Sequence, residues 1–143
     1  MRIIDADILS YALVENHIAT PYARPIVERG LRGELEIYVT ATTLLEAYNT
    51  LLWHYRVRPK TLVAEKILII SEGLKPIPTS MRGVEMAVRE DVPLGDALLI
   101  GTALENRIPI VVSNDRHIRR LCDRYGLIYE NPIPEDIRER MAQ

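Results

Sequence analysis

Residues 109–113 read Pro-Ile-Val-Val-Ser, an apolar run with no polar alternation. A strand with one face in water alternates, whereas a strand covered on both faces does not. Residues 2–5 (Arg-Ile-Ile-Asp) open the chain in the same manner. Further strands are expected at 36–40, where Glu-Ile-Tyr-Val-Thr is rich in β-branched and aromatic side chains, at 75–78 and at 127–129. Between them lie stretches with helical spacing, at 7–14, 22–31, 42–55, 59–71, 81–90, 93–106 and 116–125, with a last helix at 135–141. Strands that alternate with helices predict an α/β fold: a parallel, doubly wound central sheet of about five strands flanked by helices. Its crossovers should be right-handed, and its functional site should lie beyond the carboxyl ends of the strands, where the strand order reverses. The 143 residues are enough for one domain with its own core.

That edge rule sorts the acidic residues. Asp5 ends the first strand and Asp7 follows it, while Asp115 stands two residues beyond 110–112. Asp7 and Asp115 both also read as N-caps of the helices that follow, whereas Asp5 comes too early to cap. Asp96 falls in the first turn of a helix that is apolar or small almost all round from 98 to 104, which predicts a buried helix. The helix dipole favours an anion there by about 0.3–1 kcal/mol. That is less than the several kcal/mol of burying an unpaired charge, so Asp96 is either an exposed first-turn carboxylate or part of a site. Glu46 has two readings as well. Thr43-x-x-Glu46 fits a capping box, but a helix that starts at Ala41 or Thr42 leaves Glu46 free on a face with Asn49, Thr50 and Trp53, opposite Leu44, Leu45, Tyr48, Leu51, Leu52 and Tyr55.

Taken jointly, Asp5, Glu46, Asp96 and Asp115, with Asp7 as a fifth, can converge only around one edge of one sheet. Such a cluster repels itself unless a cation neutralises it. Oxygen donors without Cys or His suit Mg²⁺ or Mn²⁺ rather than zinc. The single Cys122 has no disulfide partner and no metal-ligand partner at zinc spacing, which fits a reducing cytoplasm. No secretory leader is visible at the start, and no apolar stretch reaches the ~18 residues of a membrane span. The net charge of −2 excludes a broadly basic surface, so contact with nucleic acid needs a local patch.

The motifs Ile-Ile-Asp-Ala-Asp-Ile-Leu at 3–9, Thr-Thr-Leu-Leu-Glu-Ala-Tyr-Asn at 42–49 and 92–115, which contains Gly-Asp-Ala-Leu-Leu-Ile-Gly-Thr-Ala and Ile-Pro-Ile-Val-Val-Ser-Asn-Asp, resemble those of PIN-domain nucleases. They are most similar to the VapC-type toxins of prokaryotic toxin–antitoxin pairs. The resemblance implies a PIN-like fold over residues 1–143 and a metal-dependent endoribonuclease, in which metal-activated water cleaves an RNA phosphodiester and leaves a 5′-phosphate. By position it places Asp5, Glu46, Asp96 and Asp115 as catalytic and metal-holding acids, with Ser113 as a supporting hydroxyl. It further implies a homodimer and a small antitoxin partner. Asp7 stands where the family more often has Asn or Ser, and His117 where many members have another Asp.

Arg116, Arg119, Arg120 and Arg124 recur along one helix, with pairs four apart on one face. They form either a solvated stripe or a contact for RNA phosphates. His17, His54 and His117 read as surface or helix-end residues, Tyr48, Trp53 and Tyr55 as packing residues, and residues 62–70 as a core helix or a dimer face. Two other functions compete. Asp-Ala-Asp after the first strand also resembles the aspartyl nucleophile and acid of haloacid-dehalogenase-type phosphatases, which would use Asp5. That chemistry needs a lysine at a late strand end, and Lys60, Lys66 and Lys75 follow no late strand. The second is a PIN-like scaffold that binds RNA or protein without catalysis, which the loss of an acid position would favour; all four are present.

Overall fold

The computed structural model describes residues 1–142. Its five strands are β1 (Arg2–Ile4), β2 (Ile37–Thr40), β3 (Lys75–Ile77), β4 (Ile110–Val112) and β5 (Ile128–Glu130). They form one all-parallel sheet in the order β3-β2-β1-β4-β5. The helices are α1 (Ala6–Leu13), α2 (Thr20–Leu31), α3 (Ala41–Asn49), α4 (Lys60–Gly73), α5 (Arg82–Glu90), α6 (Leu94–Glu105), α7 (Arg116–Tyr125) and α8 (Glu135–Met141). The expected α/β architecture with a doubly wound parallel sheet is therefore the observed one.

Consecutive strand residues feed opposite layers, as a pleated strand requires. Ile4, Val112, Ile37 and Val39 pack against the layer that contains Ile8, Leu9, Val27 and Ile70. Ile3 and Val111 pack against Ile100, Ile108, Ile118 and Leu121 on the other side. This two-sided burial is why the first and fourth strands read as unbroken apolar runs. β3 lies at an edge, where Pro76 has no ladder donor to lose.

α5 and α6 approach backbone to backbone. A Cβ on Gly83 would stand 2.5 Å from the Ala97 carbonyl oxygen, and one on Gly101 would stand 2.8 Å from the Gly83 nitrogen. Glycine at both positions permits this crossing. Among the described residues no helix is long and apolar enough to cross a membrane.

Several expectations need correction. α1 starts at Ala6, one residue earlier than expected, so Asp5 rather than Asp7 is its N-cap. α3 starts at Ala41 with Thr40 as cap, accepting from the Thr43 amide at 3.1 Å, so Thr43 and Glu46 form no capping box. The expected single helix over 42–55 ends as α at Asn49 and continues as a π-helical turn, Thr50–His54. Leu45 and Trp53 are 60% and 66% exposed rather than packed; the Arg58 guanidinium covers the Trp53 ring at 5.6 Å. Of the two readings of 62–70 the core one holds along a single stripe of α4, with Val63 and Ile70 buried and Ile67 half-buried beside them, while Leu68 and Ile69 face solvent.

Candidate functional site

The strand order reverses on either side of β1, and both β1 and β4 end at that reversal. The Asp5 amide donates to the Val112 carbonyl at 2.9 Å, which carries the β1–β4 ladder to the first acidic residue. Asp5 Oδ1 then accepts from the Ala6 amide at 2.8 Å, and Oδ2 accepts from the Ser113 hydroxyl at 2.7 Å. The buried Ser113 oxygen also accepts from the Asp115 amide at 2.9 Å. One hydroxyl thus fixes the exits of two strands. Asp115 caps α7 by accepting from the His117 amide at 2.6 Å. Asp7 accepts from the Ile8 amide at 2.7 Å and the Asn114 amide at 3.0 Å.

Asp96 enters from the first turn of α6. Its Oδ2 is shut off from solvent and has no hydrogen-bond partner. Glu46 approaches from the middle of α3, across Gly95. A Cβ there would stand 2.6 Å from Glu46 Oε2, so the missing side chain leaves the room this carboxylate occupies. Asp5, Asp7, Glu46, Asp96 and Asp115 line one cavity of about 450 Å³. The four positions singled out by sequence, and Asp7 with them, are therefore neighbours at the carboxyl edge.

Burial and mutual repulsion raise these groups. Burial pushes Asp5 up to about 6 against the Ser113 and Ala6 hydrogen bonds, with Asp115 adding repulsion. Asp96 is pushed up to about 7 by burial and then by Asp115, Asp5 and Glu46. Asp7 is raised well above the carboxylate range by burial and by Asp5, and Glu46 is raised by burial and by Asp5. Among the described residues no Lys or Arg lines the cavity to offset this.

The donor set fits a hard divalent cation: it is all oxygen, it carries excess negative charge, and Asp96 Oδ2 lacks a partner. Among the described residues, no three His, Cys, Asp or Glu side chains already stand in an arrangement that could hold an ion as they are. Both oxygens of Asp5 and of Asp7, and one of Asp115, are turned to protein donors. Each of these oxygens keeps a second lone pair for a cation, and among the described residues the Asp96 and Glu46 carboxylates make no hydrogen bond that an approaching ion would have to break.

Some cavity residues were not expected from sequence. Tyr11 lies one helical turn beyond Asp7, a spacing that could have revealed it, and Asp7 adds to the burial that lifts its hydroxyl to about 12. Thr50, His54 and Tyr55 also line the cavity, so His54 and Tyr55 are neither simple surface nor simple packing residues. Arg116, Arg119 and Arg120 are exposed on α7 and do not line the acidic cavity. Arg124 is paired with Glu90 at 3.0 Å.

Comparison with known structures returns the same fold. VapC20 of Mycobacterium tuberculosis, described as a sarcin–ricin loop cleaving toxin, aligns with a TM-score of 0.67 at 13% identity over 84% of this chain and 94% of that one. VapBC2 of Rickettsia felis, bound to a DNA fragment from its promoter, aligns at 0.63 and 17% identity over 91% and 97%. A Pyrobaculum aerophilum protein aligns at 0.65 and 18% identity over 99% and 90%. No curated protein matches the sequence. The family model for the PIN domain matches residues 2–124, which include all five acidic positions, and the chain belongs to the PIN-domain family.

Proposed function

We propose that this protein is a divalent-metal-dependent endoribonuclease, the toxin of a toxin–antitoxin pair. The observation that carries the reading is the convergence of Asp5, Glu46, Asp96 and Asp115 on one cavity, with a buried Asp96 oxygen that has no partner. Membership of the PIN family and likeness in fold to a VapC toxin support it. Asp5, Asp96 and Asp115 would hold Mg²⁺ or Mn²⁺, and Glu46 would orient water or hold a second ion. When bound, such an ion would make water a stronger acid than in bulk and would stabilise charge on the phosphodiester. Ser113 positions Asp5 and the Asp115 turn. Asp7 stands beside Asp5, held by the Ile8 and Asn114 amides, and Arg116, Arg119 and Arg120 contact RNA phosphates outside the cavity. The aspartyl-phosphatase alternative has no lysine in the cavity to support it.

The test is cleavage of RNA by purified protein with Mn²⁺ or Mg²⁺, with 5′-phosphate product. Undiminished cleavage in EDTA, by protein free of contaminating nuclease, rules out the metal mechanism. Gly95→Ala provides a sharper check. The new methyl group displaces the Glu46 carboxylate, the mobile end of a flexible side chain, so folding tolerates it and the helix gains up to ~1 kcal/mol of propensity. Activity is expected to fall on the order of 10²-fold, the scale of a 1 Å misplacement, with an unchanged or higher melting temperature. Full activity in this variant would remove Glu46 from the mechanism.

The exposed surfaces support partners. Met81 and Val88 are 75% and 82% exposed and, with Val84 and Leu94, form an apolar face on α5 and the start of α6. We assign it to a homodimer. Val88→Glu should convert a dimer to a monomer in light scattering at micromolar concentration; a monomeric parent would remove the claim. A separate groove of about 340 Å³ between α1, α2 and α4, bordered by Leu13, Leu31 and Ile69, suits an apolar segment of a small antitoxin. The Rickettsia felis complex is a precedent for such an assembly on this fold.

A further inference from the structure

A second polar cavity, of about 520 Å³, runs along the outer side of β5. Arg119 and Asp123 line it from α7, Tyr129 and Asn131 from β5 and its exit, and Arg138 from α8. The Nε of Arg138 is shut off from water and, among the described residues, donates to nothing. Among the described residues neither Arg119 nor Arg138 forms an ion pair, and Asp123, on the same wall, reaches neither guanidinium. A buried donor left unmatched is unfavourable, the more so on a charged group. A guanidinium with a buried unmatched nitrogen beside an exposed, unpaired one suits an anion, and their forked donors match the oxygens of a phosphate. The Tyr129 hydroxyl donates to no protein acceptor and adds a third donor direction.

This cavity adjoins the acidic one. The Asn131 side-chain amide donates to Asn114 Oδ1 at 2.8 Å, and the Asn114 backbone amide donates to Asp7 Oδ2 at 3.0 Å. Tyr129 feels both sides: burial first, then Asp7 and Asp115, lift its hydroxyl to about 12 against the Asn131 hydrogen bond and Arg138, which draw it down. Among the described residues the acidic cavity has no Lys or Arg of its own, and its carboxylates repel a polyanion. A nucleic-acid strand that presents one phosphodiester there needs a cationic hold close by, and this cavity is where the fold places one.

We propose that the Arg119–Arg138 cavity is a subsite for a backbone phosphate of the RNA, which anchors the strand a few nucleotides from the bond that is cut. The proposal rests on the nuclease reading above. Arg138→Met keeps the aliphatic stem and removes the guanidinium; Arg119→Met does the same at an exposed position that cannot threaten folding. Binding of a fluorescent single-stranded RNA is measured by anisotropy in EDTA, from 50 to 300 mM KCl, so that no cleavage enters. Each variant should bind several-fold more weakly for every sequence tested, and the slope of log affinity against log salt should fall by about 0.7 per lost contact. Arg32→Met, at the opposite edge of the sheet, should leave the slope unchanged. In parallel, inorganic phosphate should shift the Arg138 Nε–H resonance in the parent protein. Unchanged affinity and slope in both variants, with RNA cleavage by the parent intact, overturn the subsite and leave the nuclease reading standing. A parent that neither binds nor cleaves RNA overturns both. A response to inorganic phosphate without any RNA response in the variants overturns the assignment to RNA.

Discussion

Asp96→Asn is expected to stabilise the metal-free protein at pH 8 while cutting RNA cleavage on the order of 10²–10³-fold, the scale of one lost preorganised charge contact. The carboxyl is raised to about 7 by burial and by Asp115, Asp5 and Glu46, so at pH 8 the folded chain carries a charge its surroundings disfavour. Asn keeps the size and removes the charge. Asp96 is partly open to water, so screening reduces the gain to about 1 kcal/mol, or roughly 3–5 °C in melting temperature. At pH 5 the folded carboxyl is protonated but the unfolded one is not, so the gain should shrink there and vanish only below about 4, where both states hold the proton. The rise in melting temperature on adding Mn²⁺ should shrink in the variant, because a ligand stabilises as RT ln(1 + [L]/Kd). If Asp96 were a solvated first-turn charge, the substitution would instead cost a few tenths of a kcal/mol of dipole interaction and leave the Mn²⁺ response unchanged. Thermal melts of both proteins in EDTA and in Mn²⁺ decide between these outcomes.

The parent protein in EDTA should lose stability as pH rises from about 4 to about 7. Asp5 and Asp96 have folded-state values near 6 and 7 against an ordinary 3.8. The folded chain therefore holds protons that the unfolded chain has released, and its stability falls through this window. Asp5 alone accounts for about two pH units, or ~3 kcal/mol at most. A drop of roughly 10 °C in melting temperature is expected. The exposed Glu34 and Glu36, lowered by hydrogen bonds from Arg32 and from Tyr38 and Lys75, act in the opposite direction and only below about 4.5. Mn²⁺ competes with protons for the raised carboxylates, so saturating metal should flatten or invert the curve. A melting temperature in EDTA that stays level or climbs between pH 4 and 7 would show that the cluster carries no such strain.

The alternation of two-sided strands with helices was legible because burial on both faces removes polar residues from a strand, and the edge rule then picked out the acids. Less legible was anything set by a single residue of phase. Asp5 was read as too early to cap, yet α1 begins at Ala6 and one carboxylate serves both as cap and as site residue. The π-helical turn at Thr50–His54 carries no local signal, and its residues include Thr50 and His54 of the acidic cavity. Within 62–70 only Glu65 and Lys66 are polar and apolar side chains cover the rest of the helix, so periodicity could not tell which of these face water; the packing leaves Leu68 and Ile69 outside. Arg138 was invisible as a partner of Arg119, because only the tertiary course of the last helix brings a residue of α8 to the flank of β5.

The contact of α5 with α6 at Gly83 and Gly101 makes the two helices a single stiff plate. One border of that plate carries Asp96, and Val84 and Val88 project from it into solvent. Side chains between helices can yield by changing rotamer, but backbone against backbone cannot. Any side chain larger than glycine at 83 or 101 would therefore force the helices apart and shift the start of α6, where Asp96 stands, although neither glycine lines the acidic cavity.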